Sequence, residues 1–169
     1  MIPEFSRLYR LDEIGGAPRS VTLEADAEER AALAERFGLI AIDRLSASAE
    51  LVSEGDRVIA TGRIEAAVTQ ACVASGDPVP AVLAEDFALR FVPEGAAPEE
   101  VELEESDLDE LCFSGGAVDL GEAVAQTVAL ALDPFPRAPG AEEKLRAAGV
   151  IGEEDAGPFA ALKALKDKL

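Results

Sequence analysis

Two cysteines, Cys72 and Cys112, and a dense run of carboxylates are the residues of this chain with the most chemistry in them. A thiol acts as nucleophile or metal ligand only as the thiolate, and no Lys, Arg or His stands close to Cys72 in sequence to lower its pKa. The two cysteines are far apart, which does not read as a disulfide framework. Cys72 follows the alternation of Val58, Ala60, Gly62, Ile64, Ala66 and Val68, so it is expected on the apolar face of that strand, buried and unliganded. Histidine is absent, which removes Ser-His-Asp and Cys-His catalysis and His-bearing zinc sites. Ser114 precedes Gly115 with no base beside it and reads as a turn. Gly115, Gly116 and Gly121 do not form GxGxxG, and no GxxxxGK[ST] occurs, so nucleotide binding has no support. The expectation is a chain with no catalytic residues, no metal site and no cofactor.

The carboxylates point to binding. There are 34 Asp and Glu against 15 Lys and Arg, a net charge of -19. Such a field repels nucleic acid and anionic membrane and attracts basic partners. From Glu94 to Glu110 no basic residue interrupts the acids. The run is either a solvated loop or a docking surface for a basic protein, in which case Glu99, Glu100, Glu102 and Glu104 are the candidate contacts. It lacks the spacing and central glycine of an EF-hand loop. A hydrolase holding Mg²⁺ or Ca²⁺ near Glu102 to Glu110, and a plain adaptor for a basic protein, are the competing readings. The C-terminal segment reverses the sign. In Pro158–Leu169, Phe159, Leu162 and Leu165 recur at helical spacing beside Lys163 and Lys166. Either Phe159 packs back on the protein, or Phe159, Leu162, Lys163 and Lys166 form a recognition helix that touches nucleic-acid phosphate.

These groups need elements to position them. Asp26 reads as a helix N-cap with Glu29 completing a capping box, and the helix should stop at Gly38. Leu45, Ala47, Ala49 and Leu51 alternate with polar residues, Glu54-Gly55-Asp56 makes a turn, and the alternation resumes from Val58. Asp77-Pro78-Val79-Pro80 breaks it. A further strand carries Phe87, Leu89 and Phe91 on one face. Strands so spaced suggest antiparallel pairing. Asp119 caps a second helix with Glu122 at N3, and Asp133-Pro134-Phe135-Pro136 ends it. Residues 137 to 158, rich in Gly, Pro and Glu, read as poorly ordered.

The segment Gln70-Ala71-Cys72-Val73-Ala74-Ser75-Gly76-Asp77-Pro78-Val79 resembles the central signature of the YceD family, the large ribosomal RNA subunit accumulation proteins. Members commonly carry Cys-x-x-Cys here; Cys72 holds the first position and Ser75 replaces the second. Val118-Asp119-Leu120-Gly121-Glu122, followed by Val128 to Leu132 and Pro134, resembles the family's Asp-Leu-x-Glu helix. Pro158-Phe159-Ala160-Ala161-Leu162-Lys163 resembles its Asn-Pro-Phe-Ala-x-Leu ending, with Gly157 in place of Asn. The resemblance covers about residues 55 to 166. It implies a part in 23S ribosomal RNA accumulation and large-subunit assembly, and it brings no catalytic residues.

The expected architecture is α+β: an antiparallel β-sheet or partly closed barrel with two packed helices, residues 1–136 forming one domain and 137–169 a flexible tail. The expected partners are a basic ribosomal protein or large-subunit precursor, with ribosomal RNA contact through the tail. No membrane or small-molecule substrate is expected. No apolar run approaches the ~20 residues of a bilayer span. The opening Met1-Ile2-Pro3-Glu4-Phe5 lacks the basic and apolar regions of an export signal, so the cytoplasm is the expected compartment.

Overall fold

The computed structural model describes residues 2–96 and 108–150. The described residues of Met1–Gln70 and Pro80–Asp133 form one compact unit, and those of Ala71–Val79 and Pro134–Leu169 a second.

In the larger unit, β1 (Leu8–Arg10) and a 3₁₀ turn (Leu11–Glu13) precede β2 (Arg19–Glu24), α1 (Ala27–Phe37), β3 (Ala41–Glu54) and β4 (Arg57–Ala71). Then come β5 (Pro78–Pro93), β6 (Asp109–Phe113), β7 (Ala117–Asp119) and α2 (Leu120–Ala131). Five strands form an open sheet in the order β2-β3-β4-β5-β6, and β1 pairs with β7 in a separate ribbon. The architecture is α+β, as the alternation and capping signals require.

Period-two alternation sets one face of the sheet inward. Leu45, Ala47, Ala49 and Leu51 of β3 lie opposite Ala66, Ile64, Gly62 and Ala60 of β4. Leu23, Phe87, Leu89 and Phe91 join that face, and Leu33 of α1 and Leu120, Val124 and Val128 of α2 complete one apolar cluster with Phe5. Burying side chains such as Leu45 or Leu51, both fully enclosed, contributes about 1.5–3 kcal/mol each. The alternation slips once: a register shift between Ile42 and Arg44 marks a β-bulge at Asp43. It lets Ile42 and Leu45, three residues apart, both point inward.

The helix ends follow the sequence closely. The Asp26 side chain accepts from the Glu29 amide at 2.9 Å, and the Glu29 carboxylate accepts from the Asp26 amide at 2.9 Å. Gly38 ends α1 at φ 66°, a backbone conformation that favours glycine.

Three expectations are corrected. β6 pairs with β5 in parallel, Leu89 opposite Asp109 through Pro93 opposite Phe113, so the sheet is not purely antiparallel. A parallel pair needs a crossover of about a dozen residues or more, and the acidic stretch after Pro93 supplies its length. The two ends of that stretch therefore belong to the sheet: Asp109 and Glu110 lie in β6, and the Glu94 amide donates to the Phe113 carbonyl at 2.9 Å. The third correction concerns residues 137–158, where α3 (Ala141–Ala147) forms. Glu142 and Glu143 at its start and Lys144 and Arg146 at its end match the helix dipole. Gly140 and Gly149, at φ 77° and 84°, bound it.

Candidate functional site

Two polar constellations stand out, one in each unit. The first is built on Asp119 at the junction of β7 and α2. Its Oδ2 accepts from the Ser6 hydroxyl at 2.6 Å, and its Oδ1 accepts from the Arg7 amide at 2.8 Å and the Glu122 amide at 3.1 Å. One carboxylate thus caps α2 and anchors the N-terminal strand. Leu120 is fully buried. A Cβ on Gly121 would sit 2.7 Å from the Phe5 carbonyl oxygen and 2.8 Å from the Arg7 nitrogen, so only glycine lets that strand lie against the helix. Glu122 accepts from both Arg36 Nη2 at 2.8 Å and Nη1 at 2.9 Å, and Arg36 also reaches Glu4 at 2.8 Å. The Arg36 hydrogen bonds hold the Glu122 carboxyl below the usual carboxylate range, against the opposing effect of burial.

Arg7 makes a second clasp. It donates to both Glu29 oxygens, at 2.6 and 2.9 Å, and its guanidinium lies 4.7 Å from the centre of the Phe5 ring. That bidentate hydrogen bond with Arg7 holds the Glu29 carboxyl below its ordinary value. Every one of these contacts fixes structure, and none leaves an open reactive position.

The second constellation is the turn after β4. Cys72 is buried, as expected, one residue beyond the end of β4 at Ala71, and belongs to the smaller unit. The Cys72 amide donates to the Asp77 carbonyl at 2.8 Å, and the Gly76 amide returns to the Cys72 carbonyl at 2.8 Å. Gly76 takes φ 75° to close the turn. The Cys72 thiol is drawn down to about 6 by hydrogen bonding from the Ser75 side chain, the largest cause, and from the Ala138, Ser75 and Ala74 backbone, with burial opposing. The sequence offered no cation to do this, and none does: neutral N–H and O–H dipoles converge because the chain curls around the sulfur.

Ser75 has one hydroxyl proton and a second acceptor, the Asp77 carboxylate at 2.9 Å. Lys144 of α3 also holds that carboxylate, and the Lys144 and Ser75 hydrogen bonds keep the Asp77 carboxyl below its ordinary range. Asp77 thus has a cationic partner beside that hydroxyl. Ser75 stands in the place of a second cysteine, and its hydroxyl donates to Asp77 at 2.9 Å. Among the described residues, no group of three or more Cys, Asp and Glu gathers to hold a metal ion.

The description of large ribosomal RNA subunit accumulation protein YceD matches residues 60–166. The chain belongs to the YceD family. No curated protein and no solved structure matches it. The matched range begins within β4 and takes in β5, β6, β7, α2 and α3, so both constellations draw on family segments. The Asp-Leu-x-Glu signature resolves into a joint: cap, core residue, close approach and ion pair in four consecutive positions. The family is named for large ribosomal RNA subunit accumulation, and that is the coarse role it gives this chain.

The residues singled out for partner binding lie elsewhere. Glu99, Glu100, Glu102 and Glu104, and Phe159, Leu162, Lys163 and Lys166, fall outside the described residues. Of the acidic run's described members, Glu110 accepts from Arg90 at 3.3 Å. No helix of the described residues is long and apolar enough to cross a membrane. Sequence reasoning missed the Ser75 donor and the Lys144–Asp77 pair because α3, which carries Lys144, was not foreseen as a helix.

Proposed function

We propose that this chain is a non-catalytic factor in 23S ribosomal RNA accumulation and large ribosomal subunit biogenesis, acting in the cytoplasm by binding a basic ribosomal protein or the pre-ribosomal particle that carries it. Membership of the YceD family over residues 60–166 is the observation that carries this reading. The charge supports the choice of partner. A net charge of -19 repels RNA phosphate over most of the surface, whereas ribosomal proteins that coat RNA must be basic. The Lys163 and Lys166 segment is the part of the sequence suited to phosphate, and Glu99, Glu100, Glu102 and Glu104 are suited to a basic protein.

Sedimentation of the tagged chain through sucrose gradients tests the reading. Cosedimentation with large-subunit precursors, and loss of those precursors when the chain is depleted, are expected. A chain that stays at the top of the gradient at low salt, with unchanged 23S ribosomal RNA on depletion, overturns it. Deleting Phe159 to Leu169, or combining Lys163→Glu with Lys166→Glu, is expected to weaken cosedimentation in a salt-dependent way. Undiminished binding would remove the tail from the mechanism and leave the acidic surface.

A further inference from the structure

Among the described residues, no layer covers the outward face of the sheet in the larger unit. Register places its side chains in three cross-strand rows: Glu24, Ser46 and Glu65; Thr22, Ser48 and Arg63; Ser20, Glu50 and Thr61. Neighbours within a row stand about 5 Å apart, and rows follow one another at about 6.6 Å along the strands. Ser46 is half-buried, and the other eight side chains are exposed. Two concavities lie over this grid, of about 470 and 560 Å³, sharing Thr22, Ser48 and Arg63 in their walls. They adjoin and make one shallow trough, floored by hydroxyls and small side chains and flanked by carboxylates.

The charges in the trough are unbalanced in one direction. Its cation, Arg63, is already held by Asp86 at 2.8 Å. Arg44 approaches Glu65 only at 4.0 Å, with both side chains more than half exposed. Glu24 and Glu50 make no ion pair among the described residues. Lysine does not occur before Lys144 in the sequence, so every basic side chain of this unit is an arginine. A hydroxyl floor suits polypeptide, since Ser and Thr both donate and accept hydrogen bonds, while the carboxylates suit Lys and Arg side chains of an occupant.

We infer that the trough over β2, β3 and β4 is a docking surface for an extended lysine- and arginine-rich segment of a basic ribosomal protein, with Glu24, Glu50 and Glu65 as its charge contacts. This rests on the proposed binding of a basic ribosomal protein, and places that contact on the sheet face in addition to the acidic run. The same carboxylates disfavour RNA phosphate at this face.

The test titrates the isotope-labelled full chain with a synthetic Lys/Arg-rich decapeptide at low salt, followed by NMR. Saturable amide shifts are expected at Thr22, Ser46, Ser48 and Thr61. Glu24→Gln, Glu50→Gln and Glu65→Gln combined are expected to weaken peptide binding about tenfold, the size three exposed charge pairs can supply. The combined variant should unfold as the wild type does, because these side chains are exposed. A control neutralising Glu99, Glu100, Glu102 and Glu104 is expected to keep the sheet-face shifts. Shifts confined to residues outside the sheet face, or an affinity unchanged in the triple variant, overturn the inference. A triple variant that binds the peptide as wild type yet cosediments with large-subunit precursors sinks the docking surface while the proposed function stands. Wild-type peptide binding without any cosedimentation would sink the function instead.

Discussion

Asp119 and Asp77 are both aspartates at the edge of a regular element, and they work in opposite ways. Asp119 gathers donors from far apart in the chain, Ser6 and Arg7 against its own Glu122 amide, beside the main apolar cluster. Asp77 gathers a hydroxyl two residues away and a lysine on a short helix, with its side chain 43% exposed. The charge of the chain divides along the same line. The sequence of the larger unit holds 27 carboxylates against 9 arginines, a balance of -18, whereas the smaller unit's sequence is within one charge of neutral. A polar group that joins distant segments over a core governs stability. One that serves a local turn governs the chemistry of its neighbour, here the Cys72 thiol.

Variants can break that comparison, beginning with the most damaging. Gly121→Val should be among the most severe, because a Cβ there meets backbone atoms of Phe5, Ser6 and Arg7 that cannot yield, and valine adds two methyl groups beyond it. A loss of about 3 kcal/mol is expected, the upper range for overpacking, read by urea unfolding. Wild-type stability in Gly121→Val would show that the strand does not lie against α2. Gly62→Ala belongs to the same class, since its Cβ would fall 2.1 Å from the Ser48 carbonyl oxygen. Asp119→Ala removes a cap and two long-range acceptors, and should cost about 2 kcal/mol. A loss below about 0.5 kcal/mol would make the joint a surface ornament.

The ion pairs of the joint give a pH signature. Glu122 and Glu29 titrate lower when folded than when unfolded. The unfolded chain therefore takes up protons first as pH falls through the ordinary carboxylate range near 4.5. The stability these groups contribute is present in full above that range and is lost as pH drops through their lower folded values. Stability measured from pH 7 down to 3 should fall less steeply in the combined Glu122→Gln and Glu29→Gln variant than in wild type. Parallel curves would deny the linkage.

The smallest stability effect belongs to the smaller unit. Ser75→Ala should change unfolding by less than about 0.5 kcal/mol, as half-exposed positions usually do, while raising the Cys72 thiol from about 6 toward the ordinary thiol value. Thiolate absorbance against pH, in a Cys112→Ser background because Cys112 is also free and is exposed, reads it directly. An unmoved titration would assign the depressed thiol to the backbone amides alone.

Much of this was legible from residue order. The capping box of Asp26 and Glu29, the Gly38 stop, the Asp119 cap with Glu122 at N3, and the inward face of Val58 through Val68 all follow from periodicities of three to four residues, or of two. Such signals are local, so sequence carries them whole. The acidic imbalance was fixed the same way, by counting. The α3 segment was obscured because its glycine and proline flanks resemble a disordered tail, and only the charge order from Glu142 to Arg146 marked it as a helix.

Contacts between residues distant in sequence leave no such periodic mark. Nothing near Asp119 announces Ser6, and nothing around Gly121 or Gly62 announces the backbone that would collide with a side chain. The parallel place of β6 depends on where the chain returns after its acidic crossover. The state of Cys72 depends on amides and a hydroxyl that surround the sulfur only once the turn has closed. Sequence by itself determined where the two long helices are capped, which strand face is apolar and what net charge the protein carries. Tertiary structure alone decided which of its polar residues are joints, because a hydrogen bond or a steric limit exists only between atoms that folding has brought together.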